Sequence, residues 1–249
     1  MIPKIIHCCW FGGSPKTDLA QRCIASWKRC CPDYEIREWD ERNFDLDLNS
    51  YCRQAYDSRK WAFVSDVARI WALHRFGGIY MDTDVEVRRP LDPLLENEAF
   101  AGFESAEYVG TCLLGATAGH PLFREMLQRY ASLSFLGEDG TPDLTTNVVR
   151  LTRLLTEKYG LLLPVETDAG KEGEGVALTS LRIYPQEYFS PFDFERRLIR
   201  PTRRTYAIHW FSGSWLETTA PPVRMARPIW RETLSRWNRA LKRSLKNRK

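Results

Sequence analysis

The run KWAFVSDVARIWALHRFGGIYMDTDVEV, Lys60 to Val87, constrains this chain more than any other stretch. Val64, Val67, Ala68, Trp71 and Ala72 recur at helical spacing between Trp61 and Phe76. Ser58 is the expected cap of that helix, and Gly77-Gly78 its expected stop, in the left-handed conformation glycine tolerates. Ile79-Tyr80-Met81 then reads as a short buried strand that runs into Asp82-Thr83-Asp84. Val85-Glu86-Val87 resumes the strand pattern, and Pro90 ends it. In an extended segment, residues i and i+2 face the same side. The two aspartates are then held close, and they repel unless a cation lies between them or one is protonated. A divalent ion that takes hard oxygen ligands, Mn²⁺ or Mg²⁺, is the simplest remedy. The competing reading is an ordinary exposed turn, where Asp is common.

Asp66 and Arg69 are the anomaly of the helix. Three residues apart, they share a face with the apolar Ile70 and Leu73, and the opposite face is apolar too. A helix apolar all round is a buried one, and buried charges must pair or bind something. An internal Asp66–Arg69 ion pair and a grip on a polar ligand are both open, and they are compatible.

Taken together, SDxxRxxxLxxxGGIYxDxDV, Ser65 to Val85, resembles the DxD signature of glycosyltransferase family 32. Bacterial capsule and oligosaccharide transferases and the yeast initiating mannosyltransferase belong to that family, and the large clostridial glucosylating toxins carry a related version. The resemblance implies a GT-A fold: an α/β, Rossmann-like nucleotide-sugar-binding domain with a mixed sheet flanked by helices. It implies a metal-dependent retaining glycosyltransferase that moves a hexose from a nucleotide sugar, UDP-sugars being favoured, to a glycan or lipid-linked sugar acceptor in polysaccharide or oligosaccharide synthesis. Asp66, Arg69, Asp82 and Asp84 are the catalytic residues it implies, with Asp66 and Arg69 holding the donor sugar.

Other parts of the resemblance bear on the donor. Lys4 to Phe11 reads as a buried first strand closed by Gly12-Gly13, and ligands of open α/β sheets sit beyond the carboxyl ends of strands. From the residues alone, Trp10 is either a core residue or a platform for a flat ring. IPKIIHxxWFGG resembles the family's opening strand, which implies that Trp10 faces the base while the backbone of Ile6 and His7 meets the base edge. Tyr80, beside the aspartates, and Thr83, between them, are assigned to the donor side, with Tyr80 packing on sugar or ribose. Asp40, at the end of a strand over Tyr34 to Trp39, is a further acidic candidate. A strand at Tyr206 to Ile208 delivers His209 to its carboxyl end, and the family's late Ile-His…SW pattern implies that Asp82, Asp84 and His209 hold Mn²⁺ or Mg²⁺. Ser214 or Ser212 would add a hydroxyl, and Trp215 would lie over the diphosphate or the sugar.

Elsewhere the patterns are those of an α/β chain. Helices are expected over Asp18 to Cys31, Pro121 to Phe135 and Val148 to Tyr159, the last opened by Thr145-Thr146-Asn147. Strands are expected over Phe100 to Glu104 and Val109 to Ala116. Pro90 to Leu95 reads as a surface turn, His120 as solvated, and Asp168 to Gly175 as a flexible loop without phosphate-loop spacing.

With 249 residues, 43% of them hydrophobic, the chain can bury one substantial core, assigned to 1–220. Residues 221–249 form a basic amphipathic tail. There Trp230, Leu234, Trp237 and Leu241 make a stripe suited either to docking on the domain or to an anionic membrane surface. A net charge of +4 is too weak to argue for nucleic acid. Seven cysteines without CxxC spacing fit a reducing compartment. The expectation is a cytoplasmic protein, with the inner face of the plasma membrane as the alternative if the tail binds lipid. Two rival functions remain: a non-catalytic nucleotide-sugar or glycan-binding module, and a haloacid-dehalogenase-type phosphatase. The latter carries its DxD on the first strand, unlike this chain.

Overall fold

The computed structural model describes residues 1–165, 175–193 and 198–213, and the elements that follow belong to one compact unit, Met1–Ser212. The strands are β1 Ile5–Cys9, β2 Glu35–Trp39, β3 Gly78–Met81, β4 Val85–Val87, β5 Ala99–Ser105, β6 Tyr108–Ala116, β7 Val176–Leu178, β8 Leu181–Tyr184, β9 Phe192–Asp193, β10 Leu198–Ile199 and β11 Ala207–His209. The α-helices are α1 Asp18–Cys30, α2 Ser50–Asp57, α3 Trp61–Phe76, α4 Pro121–Ala131 and α5 Asn147–Lys158. Seven strands form one mixed sheet in the order β2-β1-β3-β6-β5-β8-β7. β1, β2, β3, β5 and β8 all point the same way, while β6 and β7 oppose them. The expected mixed α/β sheet with helical flanks is therefore what the chain forms.

Alternation along the strands builds a core on each face. On β3, Tyr80 turns toward the cluster that includes Val64, Val67, Ala68 and Leu73 of α3, with Leu151 and Leu154 of α5. Ile79 and Met81 turn the other way, toward Ile6, Trp27, Val85 and Phe189. At the end of α3, Gly77 and Gly78 adopt φ of +65° and +101°. A Cβ on Gly78 would stand 2.6 Å from the Ile5 carbonyl oxygen, so this link needs glycine for room as well as for its dihedral.

Four local expectations change. Ser58 does not cap α3. Its N–H closes α2 on the Gln54 carbonyl, the chain turns at Arg59 with φ +56°, and α3 begins at Trp61 with no side-chain cap bond. His120 is buried rather than solvated: it caps α4 by accepting from the Leu122 N–H, and its Nε2 meets the Ser180 carbonyl. The turn at Pro90–Leu95 folds inward, with Leu91, Leu94 and Leu95 buried. Finally, Val85–Val87 does not continue β3. Asp82, Thr83 and Asp84 make a tight turn in which the Val85 N–H returns to the Asp82 carbonyl at 3.0 Å. β4 then pairs antiparallel with β11 in a separate two-stranded sheet. α1 holds the other side of β4: Trp27 Nε1 donates to the Val85 carbonyl (2.7 Å) and Ser26 Oγ accepts from the Val87 N–H (2.9 Å).

Candidate functional site

Because the five like-directed strands end on one rim, Trp10, Asp40, Asp82 and Glu104 come from four different strands to the same edge of the sheet. The Asp82–Asp84 turn sits at the end of β3. Register does the rest: Val85 pairs with His209, so β11 places the imidazole beside the turn. Ligand atoms of Asp82, Asp84 and His209 all lie within 4.8 Å of one another.

The carboxylates are braced from inside. Arg69 Nη2 lies 3.1 Å from Asp66 Oδ1, and Nη1 lies 3.2 Å from Asp82 Oδ1. Nη1 also donates to the Thr111 carbonyl (2.9 Å) and Nε to the Ser65 carbonyl (3.3 Å). The ion pair expected inside the helix thus forms and continues to the DxD turn. Asp66 and Arg69 are 7% and 6% exposed, so the pair is interior. Burial raises Asp66 to about 6, with Asp82 adding and Arg69 opposing. Burial also raises Asp82, against the pull of Arg69. For Arg69, burial works against the charge, but Asp82, Tyr80 and Asp66 outweigh it and hold the guanidinium protonated.

Asp84 has a different setting. Its Oδ1 is 3.5 Å from His209 Nε2, and its Oδ2 accepts from the Ser212 main-chain N–H at 2.8 Å. Burial opposes its ionisation, yet His209 and Ser212 hold the carboxyl well below the usual carboxylate range. Burial likewise opposes charge on His209, and Cys112 and Asp84 outweigh it, raising the imidazole well above its ordinary value. His209 Nδ1 is buried without a hydrogen bond to a described residue. Phe211 turns the chain between His209 and Ser212 with φ +50°, a conformation rare for a bulky side chain.

The remaining sequence candidates fall as follows. Tyr80 is fully buried. Its ring lies under the Arg69 guanidinium (4.5 Å), and its hydroxyl donates to Asp82 Oδ1 (2.9 Å), so it supports Asp82 from within rather than offering a face to sugar or ribose. Thr83 is half-buried at the tip of the turn. Trp10 is half-buried on the rim, its indole N–H held by the Ser14 carbonyl (2.6 Å). Ile6 and His7 lie inside β1 with strands paired on both sides. The His7 ring donates from Nε2 to the Gly77 carbonyl (2.7 Å) and accepts at Nδ1 from the Trp39 indole (3.2 Å). Asp40 accepts from the main chain and guanidinium of Arg42, a turn-closing role. Ser214, Trp215, the loop 168–174 and the basic tail lie outside the described residues.

Sequence reasoning missed Thr111, which braces Arg69, and read Asn147 only as part of the segment that opens a helix. Asn147 is buried, with its N–H on Asp66 Oδ2 (3.3 Å) and its amide on the Asp66 carbonyl (3.0 Å). A polar residue opening an amphipathic helix was the one available signal.

A mixed α/β sheet that gathers an arginine-braced acidic cluster at its strand ends is where such folds place polar-ligand sites. Residues 17–101 match the model of the family described as the glycosyltransferase sugar-binding region containing a DXD motif. Over 141 residues the chain is 30% identical to inositol phosphoceramide mannosyltransferase 3 of Schizosaccharomyces pombe, covering 54% of this chain and 38% of that protein. Over 113 residues it is 30% identical to the human alpha-1,4-N-acetylglucosaminyltransferase, covering 43% of this chain and 32% of that one. The matched part therefore spans well under half the length of these curated relatives. Among solved structures, the PaToxG glycosyltransferase aligns with a TM-score of 0.46 at 18% identity, over 64% of this chain and 70% of that one.

Proposed function

We propose that the chain is a metal-dependent glycosyltransferase of the GT-A type. It transfers a hexose from a nucleoside-diphosphate sugar, a UDP-sugar by preference, to a hydroxyl of a glycan or lipid-linked acceptor, with retention of configuration. The observation that carries this reading is the convergence of Asp82, Asp84 and His209 within 4.8 Å at the strand rim, braced by the buried Asp66–Arg69 pair. The match of residues 17–101 to the DXD sugar-binding family model supports it. The two fungal and human relatives named above, a mannosyltransferase and an N-acetylglucosaminyltransferase by title, support the reaction class.

The residues fit a divalent ion. Two carboxylates and an imidazole form an oxygen-rich set with one nitrogen, which suits Mn²⁺ better than the all-oxygen shell Mg²⁺ prefers. Asp84 is held for the role by Ser212, Asp82 by Tyr80 and Arg69, and His209 by β-pairing to Val85. When bound, the cation supplies Lewis-acid stabilisation of the charge that builds on the departing diphosphate. Asp66 takes a donor-sugar hydroxyl, while Arg69 keeps Asp66 and Asp82 ionised and in place. Trp10 stands on the rim to stack on the base. By the sequence pattern, Ser214 would add a hydroxyl and Trp215 would meet the diphosphate or the sugar. Action in the cytoplasm or at the inner membrane face, in polysaccharide or oligosaccharide synthesis, completes the proposal.

The test is a donor panel of UDP-glucose, UDP-galactose, UDP-N-acetylglucosamine and GDP-mannose, scored for nucleotide release with Mn²⁺ and with EDTA. Release is expected with at least one donor, and only with the metal. Asp84→Asn should lower it by about 10²–10³-fold, as for loss of a charge-stabilising group, with the far-UV circular dichroism unchanged. Donor binding without release would make the chain a binding module. Full release by Asp84→Asn would remove the metal from the reading.

A further inference from the structure

Glu104 is an acidic residue on the strand rim that the site described above does not use and that, unlike Asp40, pairs with no arginine among the described residues. It stands near the carboxyl end of β5, with β6 between it and β3, whose end bears the Asp82 turn. Its side chain lies over Gly110 of β6. A Cβ there would sit 3.3 Å from Glu104 Cβ and 3.5 Å from Oε2, so the missing side chain gives the carboxylate room to lean across the strand. The next two residues of β6 are the back wall of the site. The Thr111 carbonyl accepts from Arg69, and the Cys112 carbonyl accepts from the Asp82 N–H at 2.8 Å. Glu104 thus stands at the edge of the site on β5, packed against the strand that supports Arg69 and Asp82.

Two further features set it apart. Its side chain makes no hydrogen bond or ion pair with a described residue, although it is half-buried. Burial raises its pKa, and the charges of Asp82 and Asp84 add to that while His209 opposes it, so the carboxylate shares a field with all three. Yet it stands outside the Asp82–Asp84–His209 group and does not complete that set of ligands. A partly buried carboxylate beside two like charges is unfavourable unless a donor reaches it. An ionised carboxylate only accepts hydrogen bonds, and the strongest it makes are charge-assisted.

We propose that Glu104 is the acceptor-side residue, whose carboxylate takes the hydrogen bond of the sugar or polyol hydroxyl that attacks the donor. This rests on the transferase reading above. In the transfer, the hydroxyl oxygen bonds to the anomeric carbon and the bond from that carbon to the diphosphate oxygen breaks. The hydroxyl proton leaves on the freed diphosphate. Glu104 is a carboxylate before and after, and its part is to orient the attacking oxygen.

The experiment compares wild type with Glu104→Ala, Glu104→Gln and Glu104→Asp, using the four nucleotide sugars named above and Mn²⁺. Nucleotide release is measured in water alone and again with D-mannose, D-glucose, myo-inositol or glycerol added, and Mn²⁺ affinity is measured by calorimetry. Glu104→Ala should lower hydroxyl-stimulated release at least about tenfold more than it lowers release to water, the cost of a lost charge-assisted bond. Glu104→Asp should recover part of the stimulation, and Mn²⁺ affinity should stay within about threefold of wild type, below the 10–100-fold loss a metal-supporting residue shows. An equal fall of both rates would overturn the proposal. So would unaltered stimulation, weakened Mn²⁺ binding, or a wild type that hydrolyses a donor yet is stimulated by none of the hydroxyl compounds. A wild type that releases nucleotide from no donor would overturn the transferase reading and this inference with it.

Discussion

Single residues of this chain are best understood by asking which buried charge faces which partner. Arg69 touches two carboxylates and two carbonyls from the middle of a helix, in the fork geometry that only a guanidinium supplies. Removing it leaves Asp66 and Asp82 buried, close together and without the cation that keeps them ionised. Arg69→Met is expected to destabilise the fold by about 3–5 kcal/mol in urea unfolding, and Arg69→Lys should recover less than half of that. His7 teaches the opposite lesson, that of a histidine kept neutral. Its Nε2–H donates to Gly77, and its Nδ1 lone pair receives the Trp39 indole, so a second ring proton would face a donor. Burial lowers its pKa to about 4, with Arg37 contributing, against the pull of Gly77 and Glu35. The folded pKa lies below the unfolded value near 6.5, so the unfolded chain binds the extra proton first. The stabilisation is fully present above about pH 6.5 and is lost as pH falls to about 4, a difference of about 3 kcal/mol. Nitrogen-detected NMR should show the Nε2–H tautomer unchanged at pH 5. A doubly protonated ring at that pH would contradict the assignment.

Between elements, packing is set by what is missing from the side chains. A Cβ on Gly115 of β6 would stand 2.0 Å from Phe100 Cε1 of β5, inside any tolerable contact. Gly115→Ala should therefore cost about 1–3 kcal/mol, as overpacking does, and Phe100→Leu in the same chain should return part of it. Additive losses in that pair would mean the two strands do not meet as described. This contact also marks the limit of what the sequence makes legible. The α3–β3 segment could be read because helical period, a glycine pair and an apolar strand are all local signals. The pairing of β4 with β11 could not, because nothing local in Val85–Val87 names Ala207–His209 as its partner. Hence the aspartates look like a strand end in the sequence and prove to be a turn. His209 could be proposed as a ligand from a pattern, while its register opposite Val85 is a long-range fact. Ser58 and His120 were misjudged for a related reason: a cap is decided by where the chain turns, and the turn at Arg59 leaves no mark in the composition. Glu104 was passed over because a charge at a strand end looks solvated until its neighbours on the sheet are known.

At the scale of the whole molecule, the candidate metal group ties together parts of the chain that are otherwise held by short, separate contacts. Asp82 and Asp84 belong to the turn between β3 and β4, and His209 closes the small β4–β11 sheet, itself anchored on α1 by Trp27 and Ser26. An ion bound by all three would join the main sheet, the small sheet and α1, and only in the folded state. Binding that is confined to the native state stabilises it by about 2.7 kcal/mol at 100 times the dissociation constant. For a chain of this length that corresponds to a rise in Tm of about 5–10 °C. The ion must displace the proton that Asp84 holds on His209, so the shift should shrink as pH falls through the range in which that proton competes. Thermal unfolding of the full chain with Mn²⁺ and with EDTA is the check. Wild type should gain the shift and lose it on chelation. His209→Ala and Asp84→Asn should unfold at the same temperature with or without Mn²⁺. A gain that survives in both variants would place the ion elsewhere in the molecule, and the three residues would then be an acid–imidazole pair with no claim on a metal.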